Sequence, residues 1–173
     1  YWRLNFYALR PTESLLTAYR ATGDARFARR LVAIDESFFR AEARSPGAWS
    51  DDHAVAFRAM VLANEWWVLR YYHQLSESES GDFLREIEKT GAFLADVNHY
   101  QPQHNHGINE AAALLELGVD FPDLPNGRAW KAVARERLAY GIEHLVDADG
   151  ALIENSPYYD FYVLDKYWQI GVF

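Results

Sequence analysis

The fold is decided by the stretch from residue 105 to residue 159, which reads NHGINEAAALLELGVDFPDLPNGRAWKAVARERLAYGIEHLVDADGALIENSPYY. Apolar residues recur at helical spacing on both sides of Phe121-Pro122, so the pattern predicts two helices joined by a short turn. A polar cluster lies at each end of this helical hairpin. A helix out and a helix back return the chain to the end it left, so we expect the two clusters to meet.

The candidate groups of the two clusters are an amide, two imidazoles, a carboxylate and two phenols. They belong to Asn105, His104, His106, Glu154, Tyr158 and Tyr159. These groups donate, accept and exchange protons, so their meeting at one end of the hairpin indicates proton transfer on an anionic substrate.

Helical periodicity extends over almost the whole chain, with predicted helices at about 4–20, 25–42, 52–73, 82–98, 107–118, 127–146 and 157–170. Predicted boundaries include Asp24 and either Ser50 or Asp51 as N-terminal caps, Gly81-Asp82 as the start of the fourth helix and Gly118 as the end of the fifth. Only residues 151–154 are expected to be extended, because Gly150 turns the chain and Pro157 disfavours helix before it. The predicted fold class is all-α, with up-and-down antiparallel helical hairpins.

Alternation of helix direction sorts the connections onto two ends of this array. One end, which we call the site end, holds Trp2-Arg3, Trp49–His53, His99–His106 and Glu154–Tyr159. The far end holds residues 22–24, Gln74–Asp82 and Val119–Pro125, where many acidic residues lie. Histidines and aromatic residues therefore gather at the predicted site end, and the acidic far end is expected to be a solvated face.

Composition limits the class of protein. A chain of 173 residues, half of them hydrophobic, is one domain with a real core. A net charge of −8 argues against nucleic acid as a partner, and no apolar run is long enough for a membrane partner. The absence of cysteine excludes disulfides and thiolate metal sites. The chain begins without Met and ends on apolar Gly171-Val172-Phe173, so we expect it to be part of a longer protein.

The order of several short motifs resembles the heparinase II/III-like polysaccharide lyases. The resemblance covers essentially the whole chain and is carried by Ala18-Tyr19, Thr22-Gly23-Asp24, His53–Ala56 with Arg58, Asn105-His106-Gly107, Ala112–Leu115, Phe121-Pro122, Trp130, Arg137-Leu138, Asp149-Gly150 and Glu154–Tyr159.

That resemblance implies that residues 1–173 are part of an (α/α) toroid, which a β-sandwich region follows in full-length members. It also implies β-elimination on a uronic-acid-containing polysaccharide, without a cofactor or metal. The implied partners are this acidic polysaccharide and either the rest of the parent chain or another copy. The implied location is the periplasm or the exterior of a bacterium.

Three residues match catalytic positions of the family. Asn105 matches an asparagine that neutralises the substrate carboxylate, and His106 matches its neighbour in the cleft. Tyr159 matches the catalytic tyrosine of a Ser-Pro-x-Tyr motif, although Asp160 stands where the family usually has histidine. The predicted substrate-binding residues are Trp49, His53, Arg58, His104, Glu154 and Tyr158.

Structural interpretations compete with these assignments. Asn105 could simply cap the helix that follows, Glu110 could be a solvated helix residue, and Glu154 could pair within the fold. His104 and His106 could bind a metal, but the sequence offers no clear further ligand. Tyr162 and Tyr167 fit packing better than catalysis.

Two other function classes remain open. A helical-toroid glycoside hydrolase would use two carboxylates, with Glu110 and Glu154 as the best available pair. A non-catalytic carbohydrate-binding domain would need only the aromatic residues of the site end.

Overall fold

The computed structural model describes residues 2–42, 44–154 and 156–171, so Asn155 and the terminal Val172-Phe173 lie outside the described residues. The described residues form eight α-helices and two short 3₁₀ turns. The helices are α1 (Trp2–Tyr7), α2 (Arg10–Thr22), α3 (Ala25–Glu42), α4 (Asp52–Tyr71), α5 (Glu77–Ala95), α6 (Asn105–Asp120), α7 (Gly127–Leu145) and α8 (Pro157–Gln169), and the turns are Pro46–Trp49 and Val97–His99.

The chain divides into two compact units, residues 1–90 and residues 91–173, and the boundary falls inside α5. The first unit has an apolar interior in which Leu31, Leu62, Phe83 and Ile87 are fully buried. Its predicted caps are confirmed. The Asp24 carboxylate accepts a hydrogen bond from the Arg26 N–H at 2.9 Å, and Asp51 accepts one from the Ala54 N–H at 3.1 Å.

The predicted helix over residues 4–20 is wrong, because the chain turns a corner at Leu9, whose φ is +58°. Pro11 explains the corner, since it has no N–H to donate to the carbonyl of Tyr7, four residues earlier. That carbonyl instead accepts a hydrogen bond from Arg58 Nη1 at 3.1 Å. The apolar spacing continues across Leu9 and does not show the corner. Pro11 was the signal in the sequence that could have predicted it.

The predicted start of a helix at Gly81-Asp82 is also wrong, because α5 already begins at Glu77. The Glu79 carboxylate accepts from the Ser76 N–H at 2.7 Å, and Ser76 Oγ accepts from the Glu79 N–H at 3.2 Å. This reciprocal arrangement is a capping box, whose Ser-x-x-Glu spacing was visible in the sequence. Gly81 is an interior residue of the helix.

Two carboxyl groups lie inside the first unit, on Asp35 of α3 and Glu65 of α4, and both residues are fully buried. Burial raises the pKa of Glu65 to about 7. Burial, followed by the repulsion of Glu65, raises the pKa of Asp35 well above its ordinary value. The pair therefore retains a proton near neutral pH, because two adjacent buried carboxylates cannot both ionise cheaply.

The second unit is built on the α6–α7 hairpin, which confirms the two helices predicted around Phe121-Pro122. Gly118 does not end α6, which continues to Asp120. A Cβ on Gly118 would lie 2.7 Å from the Lys131 backbone nitrogen, so glycine is needed where the two helices approach each other. Trp130, Leu138 and Ile108 are buried in this unit, and the Trp130 ring packs closely against Gly91 of α5.

After α7 the chain makes a tight turn and returns. Val146 and Leu152 form an isolated antiparallel bridge, which confirms an extended residue within the predicted segment 151–154. The Asp147 carboxylate holds the turn by accepting from the backbone N–H groups of Asp149 and Ala151, both at 2.9 Å. The chain then enters α8, which packs against α6.

Candidate active site

His104, rather than Asn105, caps the amino end of α6. Its Nδ1 accepts a hydrogen bond from the His106 N–H at 3.4 Å, and its backbone is extended, as a capping residue requires. The accepting nitrogen carries a lone pair, so in this arrangement the neutral ring of His104 bears its proton on Nε2. The rings of His104 and His106 meet edge to face, with centroids 4.5 Å apart. The interpretation of Asn105 as a simple cap is therefore wrong.

Asn105 is the first residue of α6, and only 4% of its surface is exposed. Its side-chain Nδ2 donates to Glu154 Oε2 at 2.7 Å, and its backbone N–H donates to Glu154 Oε1. The two residues are 49 positions apart in the sequence and lie at the two ends of the α6–α7 hairpin. The prediction that the hairpin brings its two polar clusters together is thus confirmed for this pair.

The loop before Asn105 is held on two sides. The Glu110 carboxylate accepts from the Gln101 N–H at 3.2 Å, while a Cβ on Gly107 would lie only 2.2 Å from the Gln101 carbonyl oxygen. Glycine is therefore required directly after Asn105-His106. Glu110 is 1% exposed, so its interpretation as a solvated helix residue is wrong.

Arg137 of α7 anchors the chain further upstream. Its guanidinium donates to the carbonyls of Leu94 and Ala95 at the end of α5, and it stacks on the Tyr100 ring at 4.1 Å. Burial raises the pKa of Tyr100 to about 12, so this phenol stays protonated at ordinary pH. Arg137 and Tyr100 therefore act as supports of the 100–104 loop.

Tyr159 lies in the first turn of α8 and is 38% exposed, while its neighbour Tyr158 is 73% exposed. The two rings meet edge to face, with centroids 5.7 Å apart. Both phenols can thus be reached from solvent at the start of this helix. The catalytic role of Tyr159 and the binding role of Tyr158 remain predictions.

Asp160, which stands where the family usually has histidine, has a structural contact. Its carboxylate accepts from the Leu152 N–H at 2.8 Å and so joins the start of α8 to the returning strand segment. Asp160 thus supplies the acceptor that holds the start of α8 next to residue 152.

A hydrogen bond between α6 and α8 was not predicted from the sequence. The Tyr162 hydroxyl donates to Asn109 Oδ1 at 2.9 Å, and Asn109 is fully buried one turn after Asn105. The four-residue spacing of the two asparagines places them on the same helix face, which was the available signal. Tyr167, whose hydroxyl donates to the Leu138 carbonyl at 2.7 Å, is a packing residue as predicted.

Three predicted substrate-binding residues lie in the first unit, at Trp49, His53 and Arg58. Arg58 is fully buried, donates to the Ala48 carbonyl at 2.9 Å and stacks on Trp49 at 4.4 Å. Burial lowers the pKa of Arg58 to about 10. These contacts are those of a structural residue that ties the turn before α4 to the α1–α2 corner. Trp49 and His53 are partly exposed, and their position along a common groove with Asn105 remains a prediction.

At the predicted far end Glu77 is exposed, whereas Asp120 and the neighbouring Glu116 are partly buried. Burial raises the pKa of Asp120 and raises that of nearby Glu116 to about 7. Within the described residues, no group of three or more histidine or acidic side chains is arranged to hold a metal ion. No helix among these residues combines the length and the apolar character that a bilayer span needs.

Comparison with known proteins identifies the family. Residues 2–171 match the model described as the heparinase II/III N-terminus. The chain belongs to the heparinase II/III N-terminal family. It is also 28% identical, over 159 residues, to a heparin-sulfate lyase of Pedobacter heparinus, and this match covers 88% of the chain but 24% of that relative.

Two solved structures show the same fold. A mutant of the heparan sulfate lyase HepC from Pedobacter heparinus has a TM-score of 0.79 at 24% identity, over 95% of this chain and 26% of that one. Heparinase III has a TM-score of 0.81 at 19% identity, over 95% of this chain and 25% of that one. The likeness confirms the all-α class and the prediction of part of an (α/α) toroid. The chain spans about a quarter of the length of these relatives.

Proposed function

We propose that this chain is the helical part of a polysaccharide lyase that cleaves a uronic-acid-containing polysaccharide by β-elimination. The observation that carries the proposal is the buried, oriented amide of Asn105 at the amino end of α6, in a chain of the heparinase II/III N-terminal family. The relatives are named as lyases of heparin sulfate or heparan sulfate, so an acidic polysaccharide is the substrate class that we propose.

The chemistry fits these residue types. The C5 proton of a uronate is a poor acid, because the adjacent carboxylate already bears a negative charge. Asn105 donates one Nδ2–H to Glu154 and has a second one for the substrate carboxylate. A hydrogen bond there stabilises the charge that develops as the C5 proton leaves.

Tyr159 is proposed to exchange a proton at the reacting centre. Elimination breaks the C5–H bond and the bond from C4 to the glycosidic oxygen, and it forms a C4–C5 double bond. The C5 proton passes to a base, and the leaving oxygen takes a proton from an acid. A phenol at the partly exposed start of α8 can serve either step, and such general acid–base help is worth ~10²–10⁴-fold.

The hydrolase alternative loses its two carboxylates. Glu110 is 1% exposed and accepts from the Gln101 N–H, while Glu154 uses both oxygens on Asn105. A glycoside hydrolase needs one carboxyl group to protonate the leaving oxygen and another beside the sugar carbon or its water. The contacts of both residues favour structural and positioning roles over these two tasks.

The remaining part of the toroid is the proposed partner of α8. On one face of α8, Tyr158, Phe161 and Trp168 are 73%, 74% and 76% exposed. A helix face this apolar is ordinarily covered by another element. We therefore propose that further helices of a longer protein, or another copy of the chain, pack on this face.

The experiment uses the full-length protein that contains this chain, incubated with a panel of uronate polysaccharides. We expect a product with the ultraviolet absorbance of an unsaturated uronate. Asn105→Ala should lower kcat by roughly 10²–10³, the effect of losing one donor to a developing charge. Tyr159→Phe keeps the ring but removes the transferable proton, so kcat should collapse while KM changes little.

Tyr71→Phe is the matched control, because Tyr71 is a 75% exposed tyrosine of the first unit. It should retain full activity, and melting curves should show that all three variants are folded. Hydrolysis without an unsaturated product, or a folded Tyr159→Phe variant with near-normal kcat, would contradict the proposal.

A further inference from the structure

Two hydrogen bonds join Glu154 to Asn105. One carboxylate oxygen accepts from the backbone N–H of Asn105, and the other accepts from its side-chain Nδ2 at 2.7 Å. Two bonds from a single carboxylate to the backbone and the side chain of one residue fix the side-chain torsion angles of Asn105. We propose that Glu154 is a positioning residue that orients the Asn105 amide for the substrate carboxylate. This inference rests on the proposed lyase function.

Orientation matters because an asparagine amide has nearly the same shape with its oxygen and nitrogen exchanged. An ionised carboxylate only accepts hydrogen bonds, so Glu154 holds the NH₂ group on its own side and Oδ1 on the other. The second Nδ2–H is then left in one fixed direction. A donor fixed before the substrate arrives needs no reorganisation when charge develops, which is the basis of electrostatic preorganisation.

Direct binding of the substrate by Glu154 is disfavoured by its charge and its contacts. A carboxylate repels the uronate carboxylate at short range, and both of its oxygens are already used. Its own charge is balanced instead by the first N–H of α6, at the positive end of the helix dipole. The earlier assignment of Glu154 to substrate binding is thereby replaced by an action through Asn105.

Glu154 also links two proposed catalytic groups. It lies between the Val146–Leu152 bridge and the start of α8, where Tyr159 follows five residues later. The same carboxylate thus ties the segment that carries the phenol to the helix end that carries the amide. Loss of this link is expected to disturb kcat more than substrate binding.

The test is a double-mutant cycle in the full-length protein, assayed on a uronate polysaccharide. Glu154→Gln keeps the size of the side chain but replaces one acceptor with a donor. Only one of the two bonds to Asn105 can then persist, so the amide is held by one contact instead of two, and kcat should fall ~10–100-fold, the scale for a small misplacement of a reacting group. In the Asn105→Ala background the same change should cost less than ~3-fold, because its effect acts through the missing amide.

Two other results would overturn the inference. Independent effects that multiply in the double variant would show that Glu154 does not act through the Asn105 amide, and a raised KM with an unchanged kcat would show that it acts on the substrate itself. Glu77→Gln is the control for loss of a negative charge, since the Glu77 side chain is 85% exposed and lies on α5. If Glu154→Gln does not fold, Glu154→Asp keeps the charge but is too short for both bonds, and it should show the same pattern.

A measurement that does not depend on activity separates this inference from the proposed function. Hydrogen exchange at the Asn105 backbone amide should be at least ~10-fold faster in Glu154→Ala, with α7 amides unchanged. A wild-type protein that yields no unsaturated product would refute the lyase function, yet the exchange result would still decide whether Glu154 holds Asn105. Unchanged exchange at Asn105 would refute the positioning role.

Discussion

Replacement of Glu65 by glutamine should reduce the pH dependence of the chain's stability. Glu65 is fully buried beside Asp35, and burial raises its pKa from 4.5 to about 7. Between these two values the folded state holds a proton that the unfolded state has released. The free energy of unfolding therefore falls as pH rises through this window.

The magnitude follows from the size of the shift. A rise from 4.5 to about 7, at about 1.4 kcal/mol for each pH unit, corresponds to a loss on the order of 3 kcal/mol. Asp35 acts in the same direction, because its pKa is also raised by burial. Glu86 and Glu116, whose pKa values burial also raises to about 7, add to the slope of the wild-type chain. The quantity to compare is thus the slope of the free energy of unfolding against pH, in wild type and in the variant.

The assay is urea unfolding of the 173-residue chain, followed by tryptophan fluorescence at several pH values from 5 to 8. The wild-type chain should lose stability steadily, and Glu65→Gln should lose less over the same range because glutamine has no proton to release. Glu77→Gln changes an exposed carboxylate of the same unit and should leave the wild-type slope intact. Equal slopes for wild type and Glu65→Gln would refute the reasoning.

Two further predictions concern the site loop and the exposed face of α8. Gly107→Ala places a Cβ 2.2 Å from the Gln101 carbonyl oxygen and should destabilise the chain by about 1–3 kcal/mol. Gly81→Ala is the control, because its Cβ meets only the end of the flexible Arg85 side chain. It should stabilise the helix by roughly 0.5–1 kcal/mol. Thermal melts compare the two, and a similar shift for both would contradict the close approach. Trp168→Glu should lower the melting temperature of the full-length protein but not that of the 173-residue chain, where Trp168 is 76% exposed. An equal effect in both would argue against a covering element.

Much of the fold could be predicted because helical periodicity and caps act locally. The α6–α7 hairpin followed from apolar spacing on both sides of Phe121-Pro122. The corner at Leu9 was missed because the apolar spacing continues through Pro11, and a single missing N–H decided the geometry there. The start of α5 was misplaced because glycine was taken as a helix boundary at Gly81. The capping box of Ser76 and Glu79 begins the helix four residues earlier.

The candidate site was only partly accessible from sequence. The meeting of the two hairpin ends followed from topology, but the choice of Glu154 as the partner of Asn105 depends on distances across 49 residues. The buried state of Glu110 and of Arg58 could not be read from residue type, since both are charged and such residues are usually exposed. Each of the two side chains satisfies a backbone group of a nearby loop. Glu110 accepts from the Gln101 N–H, and Arg58 donates to the Ala48 carbonyl.

The bond between Asn105 and Glu154 has a consequence for the order in which the chain assembles during synthesis. Helices α6 and α7 contain their mutual contacts within residues 105–145, so they can pack as soon as this segment leaves the ribosome. The amide cannot acquire its fixed direction until residue 154 has also emerged, about one short turn later. A nascent chain arrested between these two points would carry a folded hairpin with an untethered amide. Glu154 therefore joins Asn105 only after the α6–α7 hairpin that carries this amide has been synthesised.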